Sequence, residues 1–183
     1  ISHRVIDSGS NIVWRDEGYN GLLIVDKMSG FTMHDDGVTV TIGAGMNWDE
    51  AVARTVEAGL SGIEFLSLIP GTAGATPVQN VGAYGREIKD VFVSLRAYDT
   101  KQQEFVELGR EACQFKYRSS YFKTDPSGRY VITSITLTLL KDAPAPPFYD
   151  ALQGYFDAHA ITEFSPTIVR DAVIAIRSSK LPD

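Results

Sequence analysis

The densest chemistry in this sequence lies in one stretch, Ile69-Pro70-Gly71-Thr72-Ala73-Gly74-Ala75-Thr76-Pro77-Val78-Gln79-Asn80-Val81-Gly82-Ala83-Tyr84-Gly85. It is small, uncharged and rich in glycine, too long for a simple turn and too polar for a strand. Glycine lets the backbone approach a ligand and adopt positive φ. Successive exposed N–H groups then form a concave nest whose natural guest is a phosphate or pyrophosphate. Thr76, Gln79 and Asn80 add neutral donors, and Tyr84 adds a flat surface for a ring system. A second loop, Ser8-Gly9-Ser10-Asn11, precedes apolar Ile12-Val13-Trp14. Together the two loops could clamp two ends of one pyrophosphate. Alone, each also reads as a turn or a ligand-free connection.

Familiar phosphate motifs do not fit. A P-loop needs a Lys that the central stretch lacks, and Gly43-Ala44-Gly45 begins a dinucleotide fingerprint but meets Trp48 where its last glycine belongs. A bound dinucleotide therefore needs another architecture. The candidate cations lie later. Arg118 stands in Tyr117-Arg118-Ser119-Ser120, where it could be a surface ion pair, a cation–π partner or a two-pronged carboxylate holder. Tyr149, after a Pro-rich linker, reads as a core aromatic opening a helix. Arg177 and Lys180 close a helical pattern, where cations suit the macrodipole.

Composition narrows the field. Of 183 residues, 44 % are hydrophobic and 22 % charged, an ordinary globular balance, and 17 Lys and Arg against 23 Asp and Glu leave a net charge of −6. The acidic balance argues against nucleic-acid binding. Cys113 is the only cysteine, and His3, His34 and His159 have no ligand spacing, so no disulfide framework or metal site is expected. No apolar run reaches the roughly 20 residues that span a bilayer, so no membrane insertion is expected. No signal peptide opens the sequence, and a cytoplasmic location is expected.

The elements that must position these groups read as a mixture. Leu22 to Val25 reads as a buried strand, and Val38 to Ile42 alternates as a half-buried one. Asn47 can cap a helix from Trp48 to Ala58, which Gly59 stops. Val91 to Tyr98 and Gln103 to Leu108 suggest a hairpin, and Val131 to Leu139 is the cleanest strand. Two late helices follow the linker 142–147, at Tyr149 to Ala158 and at Pro166 to Ser179 with Ser165 as cap. Strands and helices do not alternate strictly, which predicts an α+β fold rather than a doubly wound sheet. Because Ile1 is not Met, and the sequence stops just after a helical pattern, the chain is expected to be part of a longer protein.

Taken in order, Gly9-Ser10-Asn11, Gly43-Ala44-Gly45, the central stretch, the run Cys113-Gln114-Phe115-Lys116-Tyr117-Arg118-Ser119-Ser120-Tyr121-Phe122-Lys123 and Arg177-Ser178-Ser179-Lys180-Leu181-Pro182 resemble the UDP-N-acetylenolpyruvoylglucosamine reductase family. The resemblance implies an FAD-binding module of the vanillyl-alcohol-oxidase type. Residues 1–19 would be a remnant of its first subdomain and 20–183 its second, with the third, substrate-binding domain absent. It implies non-covalent FAD, NADPH as hydride donor, a UDP-sugar enolpyruvyl ether as substrate, and a cytoplasmic monomer serving peptidoglycan synthesis. It implies FAD contacts from Gly9, Ser10, Asn11, Gly71, Gly74, Ala75, Thr76, Pro77, Val78, Asn80, Gly82, Ala83, Tyr84 and Ile132. It implies an active-site role for Arg118 beside the substrate carboxylate, and substrate contacts from Tyr149, Arg177 and Lys180. The family's proton-donor Ser and its assisting Glu lie beyond Lys-Leu-Pro, so this chain alone is expected to be inactive. The alternatives are another flavin oxidoreductase of the same fold and a truncated module without activity.

Overall fold

Alternation of apolar and polar residues, most of them β-branched, builds strands Thr39–Gly43 and Tyr130–Thr138 of the main sheet. The computed structural model describes residues 2–125 and 127–180. Their strands are β1 (His3–Ile6), β2 (Leu22–Val25), β3 (Phe31–Met33), β4 (Thr39–Gly43), β5 (Gly82–Ala83), β6 (Arg86–Glu87), β7 (Phe92–Asp99), β8 (Glu104–Gly109) and β9 (Tyr130–Thr138). Their α-helices are α1 (Trp48–Glu57), α2 (Arg110–Cys113), α3 (Tyr121–Thr124), α4 (Asp150–Ala158) and α5 (Pro166–Ser178). Five strands form one antiparallel sheet in the order β3-β4-β9-β7-β8. On its buried face Val40 pairs with Leu137 and Ile42 with Ile135, all of them fully buried. On the other face Thr41 and Thr136 meet through their hydroxyls at 3.0 Å. This is the period-2 division that the sequence shows.

Helix α1 lays Trp48, Ala51, Val52 and Val56 into the same core as the sheet. Its start is set by the Asn47 side chain, which accepts the Glu50 amide at 3.0 Å, and its end by Gly59 at φ +73°. A second core joins α4 and α5 through Leu152, Phe156, Val169 and Val173, with Phe65 and Phe148 closing it. Asp49 in the first turn of α1 ties the two cores together. Arg170 of α5 grips its carboxylate with both guanidinium nitrogens at 2.7 and 2.8 Å, and the Leu68 amide donates to it at 2.6 Å.

The predicted hairpin forms as β7 and β8, and the late helices form with Ser165 accepting the Ile168 amide. Tyr149 stands at the cap of α4 rather than inside it. The expectation for Leu22 to Val25 needs correction. These residues do form a strand, but it pairs in parallel with β1 and its side chains are 38–55 % exposed. An apolar run shows only that a strand would gain by burial. Here nothing among the described residues covers either face. Strands β1 and β3 are too short to display a period in the sequence.

Glycine at position 74 permits one of the close crossings in the fold. A Cβ there would stand 2.6 Å from the Cβ of Ala44 and 3.1 Å from its Cα. Gly74→Val must therefore push the central stretch off the strand exit, and the expected loss is about 1–3 kcal/mol of stability, as for other overpacked sites. Urea denaturation measures it, and an unchanged midpoint would remove this crossing as a constraint. Asp49 supplies a pH-dependent counterpart. The Arg170 hydrogen bonds hold its carboxyl below the ordinary aspartate range, against the opposing effect of burial. A depressed folded value gives stability that is present above about pH 4 and fades as pH falls through the folded value. Arg170→Ala should therefore lower stability near neutrality by about 2 kcal/mol. Its melting curve should converge on that of the parent in acid.

Candidate functional site

Between the Gly9 loop and the glycine-rich stretch lies a cleft of about 490 Å³. Gly9, Ser10 and Asn11 line it from one side; Gly74, Ala75, Thr76 and Val78 line it from the other, and Ile132 of β9 adds an apolar contact. Residues separated by more than 100 positions thus meet at one site. Val5, Ile6, Ile69 and Val81 add further apolar surface. The loops are bridged across the gap by two hydrogen bonds, Asn11 Nδ2 to Gln79 Oε1 at 3.1 Å and the Thr72 amide to Asp7 Oδ2 at 3.1 Å.

The nest forms differently from the one that the glycine content suggests. The amide of Ala73 donates to Met46 O at 2.9 Å, Gly74 to Ala44 O at 2.8 Å, Ala75 to Thr72 O at 3.1 Å and Thr76 to Ala73 O at 3.2 Å. These donors hold the stretch to the exit of β4 and turn it through one 3-10 turn, Ala73–Ala75. The neutral side chains are engaged too. The Thr76 hydroxyl donates to Ala73 O, and the buried Asn80 donates to Lys116 O at 3.1 Å while accepting the Lys89 amide at 3.2 Å. By contrast, the amides of Gly9, Ser10 and Asn11 donate no hydrogen bond among the described residues. The free donors of the cleft therefore come chiefly from the short loop. The long stretch supplies shape.

The other predicted cofactor contacts are not among the residues lining this cleft. Gly82, Ala83 and Tyr84 belong to the β5–β6 hairpin, and a Cβ on Gly82 would stand 2.8 Å from Arg86 O. Tyr84 and Gly85, both at positive φ, make its turn. Gly71, at φ +121°, faces the Asp7 carboxylate and the Ser10 hydroxyl, and Pro77 is not among the lining residues. Asn80 instead anchors the segment that carries Arg118. Lys116 and Ser119 pair backbone to backbone, leaving Tyr117 and Arg118 as the two-residue tip of a tight turn. Ser120 fastens the turn with a 2.6 Å bond to Val78 O. Arg118 is exposed, at φ +53°, its guanidinium 5.8 Å from the centre of the Tyr117 ring. Its carbonyl accepts from Lys123, whose side chain lines the cleft.

Two of the predicted substrate contacts, Tyr149 and Arg177, gather around Tyr84. Tyr84 meets Tyr149 edge to face at 6.0 Å. Arg177 donates to Leu68 O at 3.2 Å, while its buried Nε has no partner among the described residues. Burial raises the Tyr84 phenol above its ordinary value, with the Arg177 charge acting against the rise. Lys180 is exposed one turn beyond Arg177, and Leu181 and Pro182 lie outside the described residues. Asp7 and Asp26 on the cleft wall were not legible as site residues, and neither was the full burial of Glu64, which lies outside that wall. Asp7 could have been noticed for its place two residues before Gly9. Glu64 sits in an unremarkable local sequence, and burial pushes its carboxyl up. Burial also pushes the Cys113 thiol up to about 12, so it remains a protonated core residue.

Comparison with known proteins agrees with this geometry. A curated UDP-N-acetylenolpyruvoylglucosamine reductase from Cupriavidus pinatubonensis is 44 % identical over 181 residues, covering 98 % of this chain and 53 % of the relative. The chain thus spans about half the length of the curated relatives it matches. The crystal structure of UDP-N-acetylenolpyruvylglucosamine reductase from Thermus caldophilus superposes with a TM-score of 0.71 at 23 % identity, over 98 % of this chain and 57 % of that one. The 6-hydroxy-D-nicotine oxidase of Arthrobacter nicotinovorans shares the fold with a TM-score of 0.53 at 17 % identity, over 78 % of this chain and 31 % of that one. The α+β arrangement is therefore that of the vanillyl-alcohol-oxidase-type module. Residues 1–109, which contain the short loop, the glycine-rich stretch and most of the cleft between them, match the FAD binding domain model, and the chain belongs to that family.

Proposed function

We propose that this chain forms the FAD-binding part of a UDP-N-acetylenolpyruvoylglucosamine reductase, which uses NADPH to convert the enolpyruvyl ether of UDP-N-acetylglucosamine to UDP-N-acetylmuramate for peptidoglycan. The observation that carries the reading is the cleft with its uncommitted Gly9, Ser10 and Asn11 amides, in a chain 41–46 % identical to relatives of that name. We read the enzyme as a cytoplasmic monomer, with residues 1–19 and 20–183 as parts of two FAD-binding subdomains.

The donor set fits the cofactor. Free amides on a small-residue loop suit a diphosphate, and the apolar wall with Ile132 suits a ring system. Gly9, Ser10 and Asn11 bind the diphosphate, and Gly74, Ala75, Thr76 and Val78 pack against the cofactor. Gly71, Pro77, Asn80, Gly82, Ala83 and Tyr84 hold that wall in shape. When bound, FAD supplies hydride transfer between NADPH and the enol ether. Arg118 binds the substrate carboxylate and stabilises negative charge as it develops there, a task for a preorganised cation. Its tight turn, tied down through Asn80 and Ser120, aims the guanidinium. Tyr149, Arg177 and Lys180 bind the UDP-sugar, the cations facing its diphosphate.

A longer protein that contains this chain should retain flavin absorbance through gel filtration and release all of it on acid precipitation, since no Cys or His stands in either loop. Protein that never retains flavin would remove the cofactor assignment. In an active protein containing this chain, Arg118→Ala should slow substrate-dependent flavin reoxidation by about 10²–10³, the usual effect of losing one preorganised donor. Arg118→Lys should recover only part of it, having the charge without the fork. Stopped-flow separation of the two half-reactions is decisive: equal slowing of both would make Arg118 a structural residue.

A further inference from the structure

One carboxylate already occupies the anion position between the two loops. Asp7 accepts the Ser8 amide through Oδ1 and the Thr72 amide through Oδ2, the latter at 3.1 Å. Thr72 directly precedes the 3-10 turn, and its amide donates only to Asp7 among the described residues. The slot for the carboxylate exists because residue 71 is glycine: a Cβ there would stand 2.8 Å from Asp7 Oδ2. Asp7 thus bridges one amide from each loop, as a phosphate oxygen placed there would. The charges of the wall sharpen the point. Among the described residues, Asp7, Asp26 and Asp125 line the cleft against Arg4 and Lys123, three negative groups to two positive. Asp26 gives no relief, because its carboxylate accepts the Met28 amide at 2.8 Å and stays at the wall.

We propose that Asp7 is the resident anion of this cleft, and that a diphosphate ligand binds by displacing its carboxylate from the Thr72 amide. The proposal rests on the cleft being a diphosphate site, and it makes Asp7 the residue that sets the affinity. Binding must break the Asp7–Thr72 contact, move the carboxylate and bring two further negative charges near Asp26. Neutralising Asp7 removes the competitor and makes the wall charges two against two. Two unit charges a few ångströms apart interact strongly at a partly buried site, so the gain should be at least about tenfold in affinity.

The test titrates inorganic pyrophosphate and, separately, FAD into the parent protein and Asp7→Asn, by calorimetry and flavin fluorescence. Pyrophosphate should bind the variant at least about tenfold more tightly at low ionic strength. In the parent, saturation with pyrophosphate should move the Thr72 amide and the Asp7 carboxyl carbon together in the NMR spectrum, a measurement independent of whether the variant folds. Equal or weaker pyrophosphate binding by the folded variant overturns the proposal, as does a Thr72 amide that stays in place at saturation. If pyrophosphate follows the expected pattern while FAD binds neither protein, Asp7 keeps its role and the FAD assignment fails. If FAD binds both proteins equally well, the FAD assignment stands and the displacement model fails.

Discussion

The cleft depends on one close crossing of backbone over backbone at residues 43–46. Successive residues there face opposite ways, and the two sides receive different partners. Gly43 and Gly45 face the segment 27–30: their amides donate to Gly30 O at 2.8 Å and Met28 O at 2.7 Å. A Cβ on either would come within 2.6 Å of that segment's backbone. Ala44 and Met46 face the other way, and their carbonyls accept the amides of Gly74 and Ala73. The short strand exit is thus clamped between two chain segments, which only residues without bulk permit. This clamp holds the start of the glycine-rich stretch opposite the Gly9 loop, to which Gln79 and Thr72 also bond.

From that anchor, order propagates by hydrogen bonds as well as by the packing of Ala73 and Ile69 on the core. The amides of the stretch are used to hold its own shape, which leaves it a stiff wall with few donors. Asn80 and Ser120 carry the rigidity on to the Lys116–Ser119 turn and hence to Arg118. The exposed two-residue tip is thereby fixed at its base by two side-chain hydrogen bonds to backbone carbonyls. The same logic holds at Asp49, where one carboxylate joins α1, α5 and the Leu68 loop, and the partly enclosed guanidinium of Arg170 keeps it ionised.

Charge is distributed unevenly over the chain, and the division has chemical meaning. The cleft wall is slightly negative and apolar, whereas Arg118, Arg177 and Lys180 lie away from it. A ligand held mainly through backbone amides needs few side-chain cations, and this wall carries two, Arg4 and Lys123.

Much of this was legible in the sequence because it depends on local rules. Alternation gives β4 and β9, Asn47 and Ser165 give the starts of α1 and α5, and the unusual composition of residues 69–85 marks the site without any coordinates. Tertiary structure decided the rest. Leu22 to Val25 has the composition of a buried strand, yet its burial depends on what covers it, which no local pattern records. The glycines of the central stretch suggest a nest of free donors, but whether an amide is free depends on which carbonyl stands opposite, and Ala44 and Met46 lie about 30 positions away in sequence. Asp7 looks like an ordinary turn residue until the fold brings Thr72 to its carboxylate. A sequence determines which groups can do chemistry; distance decides which of them are already engaged, because a hydrogen bond is made only at contact and contacts between remote residues are set by the whole chain.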